Sequence, residues 1–312
     1  MVQATGVATH TLETAGAAIV YDVQGPLPAD GRPPLFMIGQ PMDAGGFRAL
    51  ASHFPDRTVI TYDPRGLGRS VRTDGRNDSV PAVQASDVHA VIQALDAGPV
   101  EMFASSGGAV TALALVTAYP GDVTALVAHE PPLVGVLPDA EAAARAVARF
   151  RDAYLTHGWG AGMAAFIDMT SWRGEFTDEF FARAEPSPAQ YGMPGDDDGS
   201  RDDPLLSERS WPVSSYEPDW DALAAAPTRI VIGAGEESAG TFTGRASVAA
   251  AHRLGQEAAV FPSHHGGFVG GDTPYAGKPE AFAHRLREVL SGAGVAPPRQ
   301  PGPRRPAGAA PG

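Results

Sequence analysis

The stretch Val100-Glu101-Met102-Phe103-Ala104-Ser105-Ser106-Gly107-Gly108 decides the fold. A short apolar run of strand length ends in a cluster of small residues, and Ala109 to Ala118 follows with the composition of a helix. A strand that turns sharply into a helix lifts the turn residue above the sheet, and the turn needs small residues two before and two after it. Ala104 and Gly108 meet that need around Ser106, whereas the same rule applied to Ser105 would require a small residue at Phe103. Ser106 is therefore the candidate nucleophile, and the Gly107 N–H would face a developing oxyanion. Taken alone, the motif also suits a plain Gly/Ser helix cap after a strand.

Outward from this turn, strand-length apolar runs alternate with helical periodicity, the pattern of a parallel sheet covered by helices on both faces. Leu35 to Ile38, Thr58 to Tyr62, Val123 to Ala128, Arg229 to Ile232 and Ala258 to Phe261 read as strands. Helices are expected over about 46–53, 83–95, 245–254 and 279–290. Val7 to Leu12 and Ala17 to Val23 alternate as an opening antiparallel pair, turning near Thr14-Ala15-Gly16.

Between Pro132 and Asp221 the alternation stops. Ala140 to Tyr154, Ala161 to Thr170 and Thr177 to Ala184 read as helices, and the Pro/Gly/Asp-rich stretch 185–203 as a mobile loop. The expected division is an α/β core of residues 1–131 and 222–291, a helical cap at 132–221, and a disordered Pro-rich tail at 292–312. All four tryptophans, Trp159, Trp172, Trp211 and Trp220, fall in the cap. Packing the cap onto the core is their plainer role, and lining a pocket the sharper one.

A serine hydroxyl needs a base within hydrogen-bond reach, itself oriented by a carboxylate. Of nine histidines, His264 and His265 follow the final core strand in Phe261-Pro262-Ser263-His264-His265-Gly266-Gly267-Phe268. A loop there can fold over the C-terminal edge of the sheet, where ligands collect in open α/β sheets. His265 is preferred. For the acid, the strand Ile230 to Ile232 runs into Gly233-Ala234-Gly235-Glu236-Glu237-Ser238. Glu236 is preferred there, with Glu237 and Glu130 as alternatives, the latter also readable as a carboxylate bracing loop N–H groups.

Composition excludes several functions. The chain of 312 residues has no cysteine, which removes disulfides, thiolate metal sites and cysteine nucleophiles. With a formal net charge of -13 and a single basic pair, Arg304-Arg305, it does not suit nucleic acid. The acidity favours solubility and mildly discourages anionic substrates. No run approaches the ~18 apolar residues of a membrane span, and no secretory leader is evident, so a cytoplasmic protein is expected. His129 and Glu130 lack a third ligand at sensible spacing, so no metal is expected. No phosphate-binding glycine loop is present, and no cofactor is expected.

Taken together, the motifs resemble the α/β-hydrolase fold superfamily, in particular its small esterases and cofactor-free haloperoxidase-like enzymes. The resemblance rests on Gly39-Gln40-Pro41-Met42, on Tyr62-Asp63-Pro64-Arg65-Gly66-Leu67-Gly68-Arg69-Ser70, on the Ser106 turn and on Phe261 to Phe268. It implies the backbone N–H groups of Gly107 and Gln40 as an oxyanion hole and a structural role for the Arg65 loop. It departs from the family at Ile38, where a histidine is usual, at Ala104 in place of a glycine, and in using a glutamate as the acid. The resemblance implies a serine hydrolase acting on an ester, lactone or thioester of a small molecule through Ser106, His265 and Glu236. Dehalogenase and epoxide hydrolase chemistry, which in this fold uses an aspartate at the turn, is disfavoured. A lyase or cyclase, or a ligand-binding member without catalysis, is the alternative.

Overall fold

The computed structural model describes residues 6–27, 31–271 and 275–292. The chain opens with the expected hairpin, β1 (Val7–Thr14) and β2 (Ala17–Gln24), closed by Gly16 at φ 81°. Then β3 (Leu35–Gln40), α1 (Arg48–Ser52), β4 (Val59–Tyr62), the short β5 (Val71–Arg72) and α2 (Pro81–Leu95) lead to β6 (Val100–Ser106) and α3 (Gly107–Ala118). After β7 (Val123–His129) come α4 (Ala140–Ser171), α5 (Asp178–Ala182), α6 (Trp211–Ser214) and α7 (Trp220–Ala225). The chain then returns to the sheet with β8 (Arg229–Gly235), α8 (Phe242–Arg253), β9 (Ala259–Phe261) and α9 (Pro279–Leu290).

The strand order is β1-β2-β4-β3-β6-β7-β8-β9, with β5 pairing β2. Every pairing from β4 to β9 is parallel, and those of β2 are antiparallel. From β3 the chain steps to one side, to β4, whereas from β6 it steps to the other, to β7. The order therefore reverses between β3 and β6, and ligands of open α/β sheets bind beyond the strand ends at such a point. Gln40 ends β3 opposite Ser106, which ends β6.

Alternation along the central strands divides the core. Phe36, Ile38, Met102 and Ala104 face the cluster built with α2 and α3, while Leu35, Met37 and Phe103 face the cluster built with α1 and α9. Helix α3 is buried from Gly107 to Val116, lying between the sheet, α2, α6 and α7. That enclosure explains why its sequence is apolar all round instead of striped.

The two helices expected at 140–154 and 161–170 are the two halves of α4, separated by a kink at Gly158, whose non-helical φ of 82° and ψ of -170° break the turn. The stretch 185–203 reaches this bend: a Cβ on Gly160 would collide with the Pro194 carbonyl, and Asp197 abuts Gly158. With α5 and Phe242 of α8, α4 builds a third apolar cluster over the strand ends. Among the described residues no helix is long and apolar enough to cross a membrane. The expected tail lies, from residue 293 onward, outside the described residues.

Candidate active site

Ser106 ends β6 and α3 begins at the next residue, so the turn contains no loop at all. Its φ of 57° and ψ of -129° lie outside the regions open to most side-chain-bearing residues. Such a conformation costs on the order of 1–3 kcal/mol and persists only where the surroundings enforce it. Here β6 is paired on both edges, and α3 starts hard against β3. A Cβ on Gly108 would stand 2.6 Å from Gly39 Cα and 2.7 Å from the Ile38 carbonyl oxygen. One on Gly107 would stand 2.8 Å from the Gln40 carbonyl oxygen. The small-residue rule that selected Ser106 thus has a steric cause, and Gly107 and Gln40 lie side by side.

His265 lies in the loop after β9. That loop passes directly over Gly235, where a Cβ would meet the Ser263 carbonyl oxygen at 2.6 Å. The ring Nδ1 of His265 is 2.7 Å from Glu130 Oε2. His264 is turned into its own loop, its Nδ1 accepting from the Gly266 N–H at 3.0 Å.

The carboxylate on His265 corrects the expectation for Glu236. Glu236 opens a turn of 3-10 helix after β8, and its side chain is 53% exposed, 3.6 Å from Lys278 Nζ. It accepts the Ser263 N–H at 3.2 Å, holding the start of the histidine loop instead of the ring. Glu237 is also exposed, 3.3 Å from the same ammonium. Glu130, directly after β7, is wholly buried at φ 49°. Its Oε1 accepts the Gly235 N–H at 2.8 Å, and its Oε2 accepts the Thr243 hydroxyl at 2.5 Å as well as facing His265. Burial alone would raise the Glu130 pKa; the His265 ring and its hydrogen bond outweigh it and hold the group below the usual carboxylate range. The backbone N–H that Glu130 accepts belongs to the end of β8 and not to a loop, so the carboxylate holds strand and ring together.

His129, one residue earlier, is fully buried among Phe103, Phe261, Phe268 and Phe282. Desolvation lowers its pKa to about 4, so the ring is neutral near pH 7. Its Nδ1 is 3.4 Å from Ser105 Oγ, and among the described residues its Nε2 has no hydrogen-bond partner.

The Tyr62–Ser70 segment is structural, as its resemblance implied. Arg65 and Asp87 form a buried bidentate pair at 2.6 Å on both arms. Asp63 accepts the backbone N–H groups of Ala44 and Arg69.

Ser106, Gly107, Gln40 and His265 line one cavity of about 840 Å³, roofed by α4 and α6. Its walls are mainly apolar, with Phe150, Met163, Phe166 and Val213 among them, the character of a small-molecule site. No hydrogen bond joins Ser106 to His265 among the described residues; such pairs often tighten only when substrate binds. Sequence reasoning missed Thr243 and Arg151, which also line this cavity.

A family model described as alpha/beta hydrolase fold matches residues 35–196. The chain belongs to the α/β-hydrolase fold family. It is 34% identical over 128 residues to the uncharacterized hydrolase YraK of Bacillus subtilis (strain 168), a match covering 41% of this chain and 46% of that protein. The chain thus spans about half the length of that curated relative. Among solved structures, an esterase from Thermogutta terrifontis superposes with a TM-score of 0.60 at 18% identity, covering 91% of this chain and 98% of the other. A haloalkane dehalogenase variant from Bradyrhizobium elkanii gives 0.59 at 17% identity, covering 92% and 97%. Identities this low establish the fold alone, and the fold hosts several chemistries.

Proposed function

We propose that the protein hydrolyses an ester-type bond of a small molecule, an ester, lactone or thioester, through Ser106, His265 and Glu130. The observation that carries this reading is the buried Glu130 carboxylate on His265 Nδ1, which leaves the opposite ring nitrogen for the cavity that Ser106 also lines. In the first step His265 Nε2 takes the Ser106 proton as Oγ attacks the substrate carbonyl. Glu130 fixes the tautomer and balances the imidazolium that forms. The oxyanion lies against the N–H groups of Gly107 and Gln40, fixed donors that need no reorganisation. His265 then protonates the leaving group; in deacylation it takes a proton from water as the water oxygen attacks the acyl carbonyl, and it returns that proton to Ser106 Oγ as the acid departs.

The test is Ser106→Ala with a p-nitrophenyl ester series and a fluorophosphonate probe. Turnover is expected to fall by at least about 10⁴-fold, with the melting temperature retained, and labelling of the native protein is expected on Ser106 alone. Near-native turnover in the variant, or labelling elsewhere, overturns the reading.

A further inference from the structure

The cavity contains a guanidinium without a counter-charge. Arg151 lies on α4, seven residues before the bend at Gly158, and its side chain reaches the cavity roof beside α6. Its Nη2 donates to Ser214 Oγ at 2.8 Å, and its guanidinium carbon is 5.1 Å from the Trp211 ring and 5.7 Å from the Phe150 ring. Among the described residues its buried Nε has no acceptor, and no carboxylate lies within ion-pair distance of the guanidinium.

Other sheltered guanidiniums of the molecule are treated differently. Arg57 is paired with Glu101, Arg65 with Asp87 and Asp74, Arg72 with Asp74, and Arg245 with Asp139. Arg173, which borders the cavity but is exposed, donates to the carbonyls of Ala239 and Glu237. Burying a charge without a partner costs several kcal/mol, and contacts with two aromatic faces offset only part of that. Desolvation lowers the Arg151 pKa only to about 10, so the group remains cationic at neutral pH.

We propose that Arg151 is a specificity-determining residue that pairs with a carboxylate at the far end of the substrate's acyl chain. The inference rests on the hydrolase reading above and names the substrate class of the same site, an ω-carboxyacyl ester or thioester. One unpaired positive charge suits a monoanion, since a dianionic phosphate would leave a negative charge in the apolar roof. The two terminal nitrogens, with no acceptor for Nη1 among the described residues and Nη2 only partly engaged, present the fork that matches a carboxylate. Phe150, Phe166 and Val213 line the same space and suit a methylene spacer between the carboxylate and the scissile carbonyl. The local field at Arg151 is therefore opposite in sign to the net charge of -13, whose effect on the cavity is screened over a Debye length of roughly 8 Å.

The experiment compares mono-p-nitrophenyl esters of adipic, pimelic and suberic acids with their methyl-capped, uncharged counterparts. The readout is the ratio of kcat/KM for the acid to that for its capped form, in the native protein, Arg151→Met and Arg151→Lys. The native ratio is expected to exceed one for at least one chain length. It should fall about 10- to 100-fold in Arg151→Met, the worth of a charge-assisted hydrogen bond, with Arg151→Lys between the two. A native ratio below one throughout the series, or an unchanged ratio in Arg151→Met while both substrates decline together, overturns the proposal and makes Arg151 a cap-packing residue. If neither ester is turned over and no serine is labelled, it is the hydrolase reading that fails. Calorimetric binding of adipate, pimelate and suberate to the native protein and to Arg151→Met then still decides the role of Arg151. Binding lost in the variant supports it, and no binding by either, or equal binding by both, overturns it. Should Arg151→Met fail to fold, Arg151→Lys carries the comparison, because its point charge is expected to recover only part of the ratio.

Discussion

The ends of β7 and β8 are neighbours in the sheet, and each is followed by glutamate, yet the carboxylates have opposite surroundings. Glu130 is sealed from solvent and accepts from a backbone N–H and a hydroxyl while facing the His265 ring. Glu236 stands about half exposed, beside a lysine, and accepts one N–H from the histidine loop. Both strands point at the same cavity mouth, so strand order does not choose between them. The backbone at the strand end does. A positive φ at Glu130 turns its side chain under the histidine loop, whereas the 3-10 turn opened by Glu236 leaves its carboxylate on the rim. One group is built into the floor of the site, and the other holds a loop in place from outside.

The strongest way to break this contrast is Glu130→Gln. The amide retains the shape but presents an N–H₂ group toward donors that now find a carboxylate, and it cannot balance an imidazolium. The expected loss in kcat is on the order of 10³–10⁴ for ester substrates, measured on protein whose folding is checked by circular dichroism. A loss below tenfold would move the orienting role away from β7.

How much of this was legible in the sequence follows from how local each feature is. The Ser106 turn could be read because strand, small residues and helix are contiguous, and its steric cause, Gly108 against Gly39, is printed as a glycine. His265 could be chosen because it follows the last strand and precedes two glycines. The acid could not be settled by position. Counting from Gly233 put Glu236 in a reasonable place, and only the φ of Glu130 and the path of the histidine loop across Gly235 bring Glu130 to the His265 ring instead. Those are relations between segments more than 100 residues apart. The same holds for Arg151, which looks like any surface arginine on an Ala/Arg-rich helix until its neighbours in space are known. The break at Gly158 was visible as a gap between two helical patterns, and the chain does leave helical geometry there.

His129 sharpens the comparison through acid stability. Its register partner on β8 is Gly233, which leaves the ring room beside Phe261. A histidine held at about 4 in the native state, against about 6.5 unfolded, stays neutral in the fold while the unfolded chain takes up a proton. Stability from this group is complete above the unfolded value and is lost as pH falls from about 6.5 toward about 4. The depressed Glu130 carboxylate contributes in a lower window, its stabilisation being lost only as pH falls below the ordinary carboxylate value of about 4.3. His129→Leu should therefore reduce the drop in unfolding free energy between pH 7 and pH 5 by about 2 kcal/mol, measured by urea denaturation at both values. An unchanged drop would mean that the buried ring accepts a proton without cost.

The smallest effect belongs to the rim, and its smallness is informative. In Glu236→Gln the side-chain oxygen can still accept the Ser263 N–H, so the histidine loop keeps its tether. What is lost is attraction to Lys278, where both side chains are more than half exposed and water and salt screen the pair. Activity is expected to stay within about threefold and stability within about 0.5 kcal/mol. Glu236→Ala removes the acceptor as well, and should cost about 1 kcal/mol through the loop, with a weaker effect on kcat than on melting temperature. A hundredfold fall in kcat for Glu236→Gln with Glu130→Gln near native would invert the comparison, because the exposed carboxylate would then have to swing under His265 during turnover. The single Nδ1–H of His265 is already directed at Glu130 Oε2, 2.7 Å away, so the inversion requires Glu130 to vacate the ring first.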